Sequence, residues 1–183
     1  GGGASPAPTQ KLESSDAGFS LFGGPWRGED KYTGAAPGDD GCLYAVPGSA
    51  RHVVKIDPRT VTAEFMSTVC DDAFVSNALP RGKFKWLRGV PAEDSVVEGP
   101  TAAIYGIPCN AHAVLKVVPR TGQVATLTSW VHPRTGQRVA NPKLEGTFKW
   151  HGGAKSSADG NIYCVPASSD RVFARSPNFL LSQ

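Results

Sequence analysis

The stretch "CLYAVPGSARHVVKIDPRT" (residues 42–60) returns twice, as "AIYGIPCNAHAVLKVVPRT" at 103–121 and "NIYCVPASSDRVFARSP" at 161–177. In this register Tyr44, Tyr105 and Tyr163 coincide, as do Pro47, Pro108 and Pro166. Val53, Val114 and Val172 follow, and Pro58, Pro119 and Pro177 close the unit. The spacing between the two prolines is the same in every copy, so this half of the unit tolerates no insertion. Such strict register is the mark of a repeated structural unit.

The repeat extends upstream. Gly82-Lys83-Phe84-Lys85-Trp86 matches Gly146-Thr147-Phe148-Lys149-Trp150, with Gly28-Glu29-Asp30-Lys31-Tyr32 as a weaker third copy. Tyr32 precedes Tyr44 by 12 positions and Trp150 precedes Tyr163 by 13. Trp86 precedes Tyr105 by 19, because "PAEDSVVEGPTA" replaces the short turn. The Lys-aromatic segment and its following glycines predict a first strand, with glycine where a neighbouring backbone or ring comes close. Asp-Gly at 40–41 and 159–160 predicts a hairpin turn, since glycine takes positive φ cheaply. "IYCVP" and its relatives predict a second strand ended by a proline that cannot donate to a ladder. "VVKID", "VLKVV" and "VFARS" predict a third, the "PRTV" and "PRTG" turns follow, and "TAEFMSTV" and "QVATLTS" offer a fourth. "SWVHPRTGQRVA" suggests an extra hairpin between the second and third units.

Four short antiparallel strands per unit describe an all-β chain of β-propeller-like blades. The domain reading is a flexible N-terminal arm at 1–20, Gly/Ala/Ser/Pro-rich, followed by a repeat domain at 21–183. Its repeats run over about 28–81, 82–145 and 146–183. Tyr32, Trp86, Trp150, Tyr44, Tyr105 and Tyr163 are expected to pack between blades. Three blades fall short of a closed ring, so the expected arrangement is incomplete or partner-completed. A fragment of a longer repeat protein, two copies forming a six-bladed ring, or an open stack capped by a partner would each satisfy it.

Composition narrows the function. The 183 residues include 21 Gly and 15 Pro, yet 40% are hydrophobic, which favours a turn-rich folded domain over disorder. A net charge of +3, with no basic run, points away from nucleic acid. No apolar stretch is long enough for a transmembrane helix. The chain starts on glycine and reads as a processed chain or a fragment, with no targeting segment to separate organelle interior from cytoplasm.

Catalytic and metal signatures are missing from the sequence. Cys42, Cys70, Cys109 and Cys164 form no CxxC clip, and read as buried small hydrophobes. His52, His112, His132 and His151 have no ligand spacing. No G-x-S-x-G elbow and no phosphate-binding loop occurs. The acidic pairs Asp39-Asp40, Asp71-Asp72 and Glu93-Asp94 read as solvated turn residues. No cofactor is expected. Trp26 and Trp130 have no repeat partners, and tryptophans of this kind anchor interfaces. His151 and Lys155, with Cys164, are what remain particular to the third copy after its repeat positions are subtracted, so His151 and Lys155 join them as binding candidates.

The unit "KW-x-G-G … DG-x-IY-x-(I/V)-P … V-L-x-(I/V)-D-P-x-T-G" resembles a repeat of tandem-repeat proteins in algae and other single-celled eukaryotes. More loosely it is similar to the NHL/YVTN-type propeller repeats. Asp40-Gly41, Tyr44, Val53 and Ile56-Asp57-Pro58 carry the core in the first copy. Tyr105, Val114, Pro119 and Thr121-Gly122 carry it in the second, and Asp159-Gly160, Tyr163 and Val172 in the third. Val118 and Ser176 stand where the aspartate would be, and the third copy loses its Thr-Gly turn. The resemblance spans roughly 28–177 and implies a fold. Most propellers of this broad kind are binding platforms and some are lyases or other enzymes. The expectation is therefore a non-catalytic binding or scaffold module, an accessory subunit of a larger, organellar or other, assembly, working with a protein partner or a second copy. The alternative is a propeller-type lyase or hydrolase with its site at the blade centre.

Overall fold

The computed structural model describes residues 21–66, 82–94, 101–127, 129–131, 135, 137–140 and 144–175. The expected arm at 1–20, Cys70, Asp71-Asp72 and His132 lie outside them. The described part is all β, with three antiparallel sheets of three or four strands and one small hairpin. The first sheet holds β1 (Tyr32–Pro37), β2 (Leu43–Pro47), β3 (Val54–Asp57) and β4 (Thr62–Phe65). The second holds β5 (Trp86–Asp94), β6 (Thr101–Pro108), β7 (Val114–Val118) and β8 (Gln123–Leu127). The hairpin expected from "SWVHPRTGQRVA" forms, as β9 (Ser129–Val131) paired with β10 (Arg138–Ala140). The third sheet holds β11 (Trp150–Lys155), β12 (Ile162–Pro166) and β13 (Phe173–Arg175). In each sheet the strands neighbour one another in chain order.

Backbone pairing repeats with the sequence. Tyr32 pairs with Pro47, Trp86 with Pro108 and Trp150 with Pro166, and each first strand has a register shift just after its aromatic. The aromatic donates from its polar end to a carbonyl in the loop before the third strand. Tyr32 Oη reaches His52 O at 3.1 Å, Trp86 Nε1 reaches Ala113 O at 2.8 Å and Trp150 Nε1 reaches Arg171 O at 2.9 Å. A ring with a satisfied donor, buried at Trp86 and Trp150 and half-buried at Tyr32, holds the start of the first strand against the start of the third.

Two details differ from the sequence expectation. The lysine of Gly-x-x-Lys-aromatic precedes the strand and belongs to a turn. Asp30, Phe84 and Phe148 there take φ of 47°, 51° and 52°, in the left-handed region. The turn is held by its lysine: Lys31, Lys85 and Lys149 Nζ donate to Gly28, Gly82 and Gly146 O. Second, "PAEDSVVEGPTA" is not confined to a turn. Pro91 to Asp94 continue β5 and pair with Ile104 to Thr101, lengthening the hairpin. Pro91 is tolerated because β5 is an edge strand.

The sheets stack in order, always by the same pair of faces. One core joins Ala36, Tyr44, Val46 and Val53 of the first unit to Trp86, Ile104, Leu115 and Val117 of the second. The other joins Val90, Tyr105, Ile107 and Val114 of the second to Trp150, Ile162, Cys164 and Phe173 of the third. Each unit thus has a leading face, built on the aromatic and the Ile/Leu positions, and a trailing face, built on the Tyr-x-Val positions. Glycine is required where these meet. A Cβ on Gly89 would lie 2.7 Å from Ile104 Cγ2 and 2.9 Å from Val46 Cγ2; one on Gly153 would meet Ile107 Cδ1 at 2.9 Å. In the first unit, which follows no other described sheet, Ala35 pairs with Ala45 where Gly89 pairs with Gly106 and Gly153 with Cys164.

Candidate functional site

The third sheet's trailing face has no described neighbour. Tyr163, Val165 and Val172 are 38%, 65% and 60% exposed, whereas Tyr44, Val46 and Val53 of the first unit are fully buried. Ala154 is exposed, while its equivalents Ala36 and Val90 are in the cores. Along β12 burial alternates strictly, Ile162 and Cys164 inward and Tyr163 and Val165 outward. Over this face runs an open groove of about 580 Å³, lined by Arg88, Gly152, Gly153, Lys155, Tyr163 and Val165. Lys155 Nζ lies 3.8 Å from Glu93 Oε1, so the rim of the groove carries a loose, exposed ion pair.

The four binding candidates do not converge. His151 and Lys155 both lie on β11, and Phe148 packs edge-on to His151 with centroids 5.8 Å apart. Lys155 alone borders the groove. Trp130 lies in β9, in the separate hairpin. Trp26 packs on its own chain, with ring centroids 5.9 Å from Tyr32 and 5.7 Å from Phe65. The six repeat aromatics sit where the sheets meet, except that Tyr32 packs against Trp26 and Tyr163 faces outward.

A second concavity, about 480 Å³, lies at the other end of the stack. Trp26, Arg27, Lys31, Tyr32, His52 and Phe65 are among the residues that line it. Burial pushes the Tyr32 hydroxyl up to about 12, so it remains a neutral donor there.

The ionisable side chains near the cores are occupied by the repeat itself. Asp40 accepts from Cys42 N and from Tyr44 Oη at 2.8 Å, and its carboxylate lies 2.9 Å from Lys55 Nζ. Burial pushes Asp40 up, but the hydrogen bonds from Lys55, Tyr44 and Cys42 outweigh it and hold the carboxyl at about 2. The third unit repeats the device: Asp159 accepts from Asn161 N and from Tyr163 Oη at 2.6 Å, and these bonds hold it at about 2. Asp57 is held at about 2 by hydrogen bonds from Arg59. Lys85 is buried and donates to Gly48, Ala50 and Gly82 carbonyls; burial, with Arg51 nearby, lowers it to about 8. Lys149 is also buried, and its pKa is lowered by desolvation. Cys42, Cys109 and Cys164 are free and buried, and desolvation raises each thiol, Cys164 to about 12. Among the described residues no three His, Cys, Asp or Glu side chains gather as metal ligands would, and no helix is long and apolar enough to cross a membrane.

The repeat made the inter-sheet residues legible, but the exposed face was missed.

No family model and no curated protein matches this chain. Solved structures with similarity include an auxiliary nutrient binding protein from Bacteroides thetaiotaomicron, at 11% identity and a TM-score of 0.47, covering 78% of this chain and 37% of that one. A Bacteroides thetaiotaomicron protein of unknown function is similar at 15% identity and a TM-score of 0.42, covering 74% of this chain and 32% of the other. The chain thus spans about a third of the length of either structure. At these values neither bears on what this chain does.

Proposed function

We propose that the three sheets are blades of a propeller-type repeat and that the chain is a non-catalytic binding or scaffold module, an accessory subunit that docks a protein partner. The observation that carries this reading is the trailing face of the third sheet. Ala154, Tyr163, Val165 and Val172 occupy positions that are buried in both preceding units, yet here they meet solvent. Clustered apolar exposure of this kind marks interaction surfaces. The chemistry of the polar groups agrees with it. Asp40, Asp57 and Asp159 serve their own turns, Lys85 and Lys149 hold turn carbonyls, and the tryptophan donors close strand starts. A lyase or hydrolase would instead need titratable side chains from different sheets brought to one point.

The test is comparative affinity capture from source extract, with immobilised wild-type chain and the Val165→Asp variant. The expected result is a protein retained by the wild type and lost from the variant. Recovery of the same proteins on both, or of none on either, contradicts the reading.

A further inference from the structure

The two internal junctions show what fits the open face. Each buries a trailing face of Tyr-x-Val or Tyr-x-Ile against a leading face made of an aromatic, an Ile and a Leu or Phe. The chain carries one more leading face, on its first sheet. Leu43 stands where Ile104 and Ile162 stand, as their pairings with Ile56, Val117 and Arg175 show. Ile104 and Ile162 are buried, but Leu43 is 41% exposed. The described residues therefore present two mutually complementary half-junctions.

The leading half is partly occupied in cis. Trp26 lies over Tyr32 and Phe65, which belong to that face, and Gly23 approaches Ala63 so closely that a Cβ would be 3.1 Å from Ala63 Cβ. Beneath this strap Val54 and Ala45 are buried although no preceding sheet is described. Trp26 remains half-exposed, and Leu43 stays open beside it. The strap covers one side of the seat that a preceding unit would fill.

We infer that a second copy of this chain is the partner of the open trailing face. It docks head to tail, with its own strap at residues 21–26 competing for the same leading face. The contact is heterologous: Tyr163, Val165 and Val172 of one copy meet Leu43 and its neighbours on the next. The strap sets the strength of association, because every contact Trp26 makes in cis must be released before the incoming face seats fully. This deepens the binding-module reading and rests on it, by naming both the surface and its partner.

The experiment is sedimentation velocity across a concentration series of the full chain, with far-ultraviolet circular dichroism on every variant. The wild type should associate weakly, and Trp26→Ala should tighten association by about tenfold or more. Adding Val165→Asp or Leu43→Asp to Trp26→Ala should each return a monomer. Mixing those two double variants should restore a dimer, since one intact junction survives between them. A folded Trp26→Ala chain that stays monomeric overturns the inference, as does association that ignores both aspartates or a mixture that does not pair. If Trp26→Ala fails to fold, the wild type at high concentration takes its place, and loss of its association with Val165→Asp and with Leu43→Asp is required. A foreign protein captured through Val165 while the chain itself never pairs defeats self-docking and leaves the binding-module reading standing. Capture that is indifferent to Val165 defeats the latter.

Discussion

On the second sheet, Ile104 and Leu115 meet the first unit while Tyr105, Ile107 and Val114 meet the third; on the third sheet, Ile162, Cys164 and Phe173 have a neighbouring sheet but Tyr163, Val165 and Val172 have none among the described residues. The two sheets share a pattern of side chains and a pairing register, so composition does not separate them. What separates them is position in the stack. A middle sheet is covered on both faces and its strands read as near-continuous apolar runs. The last described sheet, made from the same unit, exposes side chains that a following unit covers elsewhere.

The largest break in that comparison should come from the aromatic at a junction. Trp86→Ala, removing a buried ring and its bond to Ala113 O, is expected to cost about 3–5 kcal/mol in urea unfolding. Val172→Ala on the open face should stay within about 0.5 kcal/mol of wild type. Equal losses at the two sites would mean the third sheet's trailing face is covered.

Glycines sharpen the same contrast. Gly89→Ala drives a methyl into Ile104 of its own sheet and Val46 across the first junction and should destabilise by about 1–3 kcal/mol. Gly152→Ala meets only Arg88 Cδ at 3.7 Å, an ordinary contact, and should change thermal unfolding little. The tyrosines come next. Tyr44→Phe breaks a part-buried bond to Asp40 and should cost about 1 kcal/mol, whereas Tyr163→Phe loses a bond exposed to water and should cost less.

A further contrast lies in pH dependence. Lys85 has a folded-state pKa of about 8, below its ordinary 10.5, so between these values the unfolded chain binds the extra proton. Stability contributed by this site therefore rises with pH through that window. Lys85→Met should abolish the rise; it also loses three hydrogen bonds to carbonyls, so it should melt below wild type, by less at pH 7 than at pH 10. A difference that does not vary with pH contradicts the assignment.

Much of the architecture was legible because the repeat is enforced by specific atoms. Tyr44, Pro47, Trp86 and the Asp-Gly turns occupy strand and turn positions whose geometry demands those residue types. The turn before each first strand was less legible, since nothing about Phe84 or Phe148 announces a positive φ; it is the lysine bond back to glycine that stabilises it. The extended β5–β6 ladder was hidden by Pro91, which looks like a turn residue but sits at a sheet edge. Trp26, lacking a repeat partner, suggested an external contact, and its packing on Phe65 depends on tertiary placement that no local pattern encodes. The open face was hidden for the opposite reason. Its residues look like core because, in two of three copies, they are.

The most direct measurement is thiol labelling of Val46→Cys and Val165→Cys, equivalent positions in the first and third units, in dilute native solution against the wild-type background. Val165→Cys should react at the rate of a free thiol, and Val46→Cys only as fast as the chain unfolds. Equal protection at both positions would contradict an uncovered third sheet, and equal reactivity would contradict the stacking of the first sheet on the second.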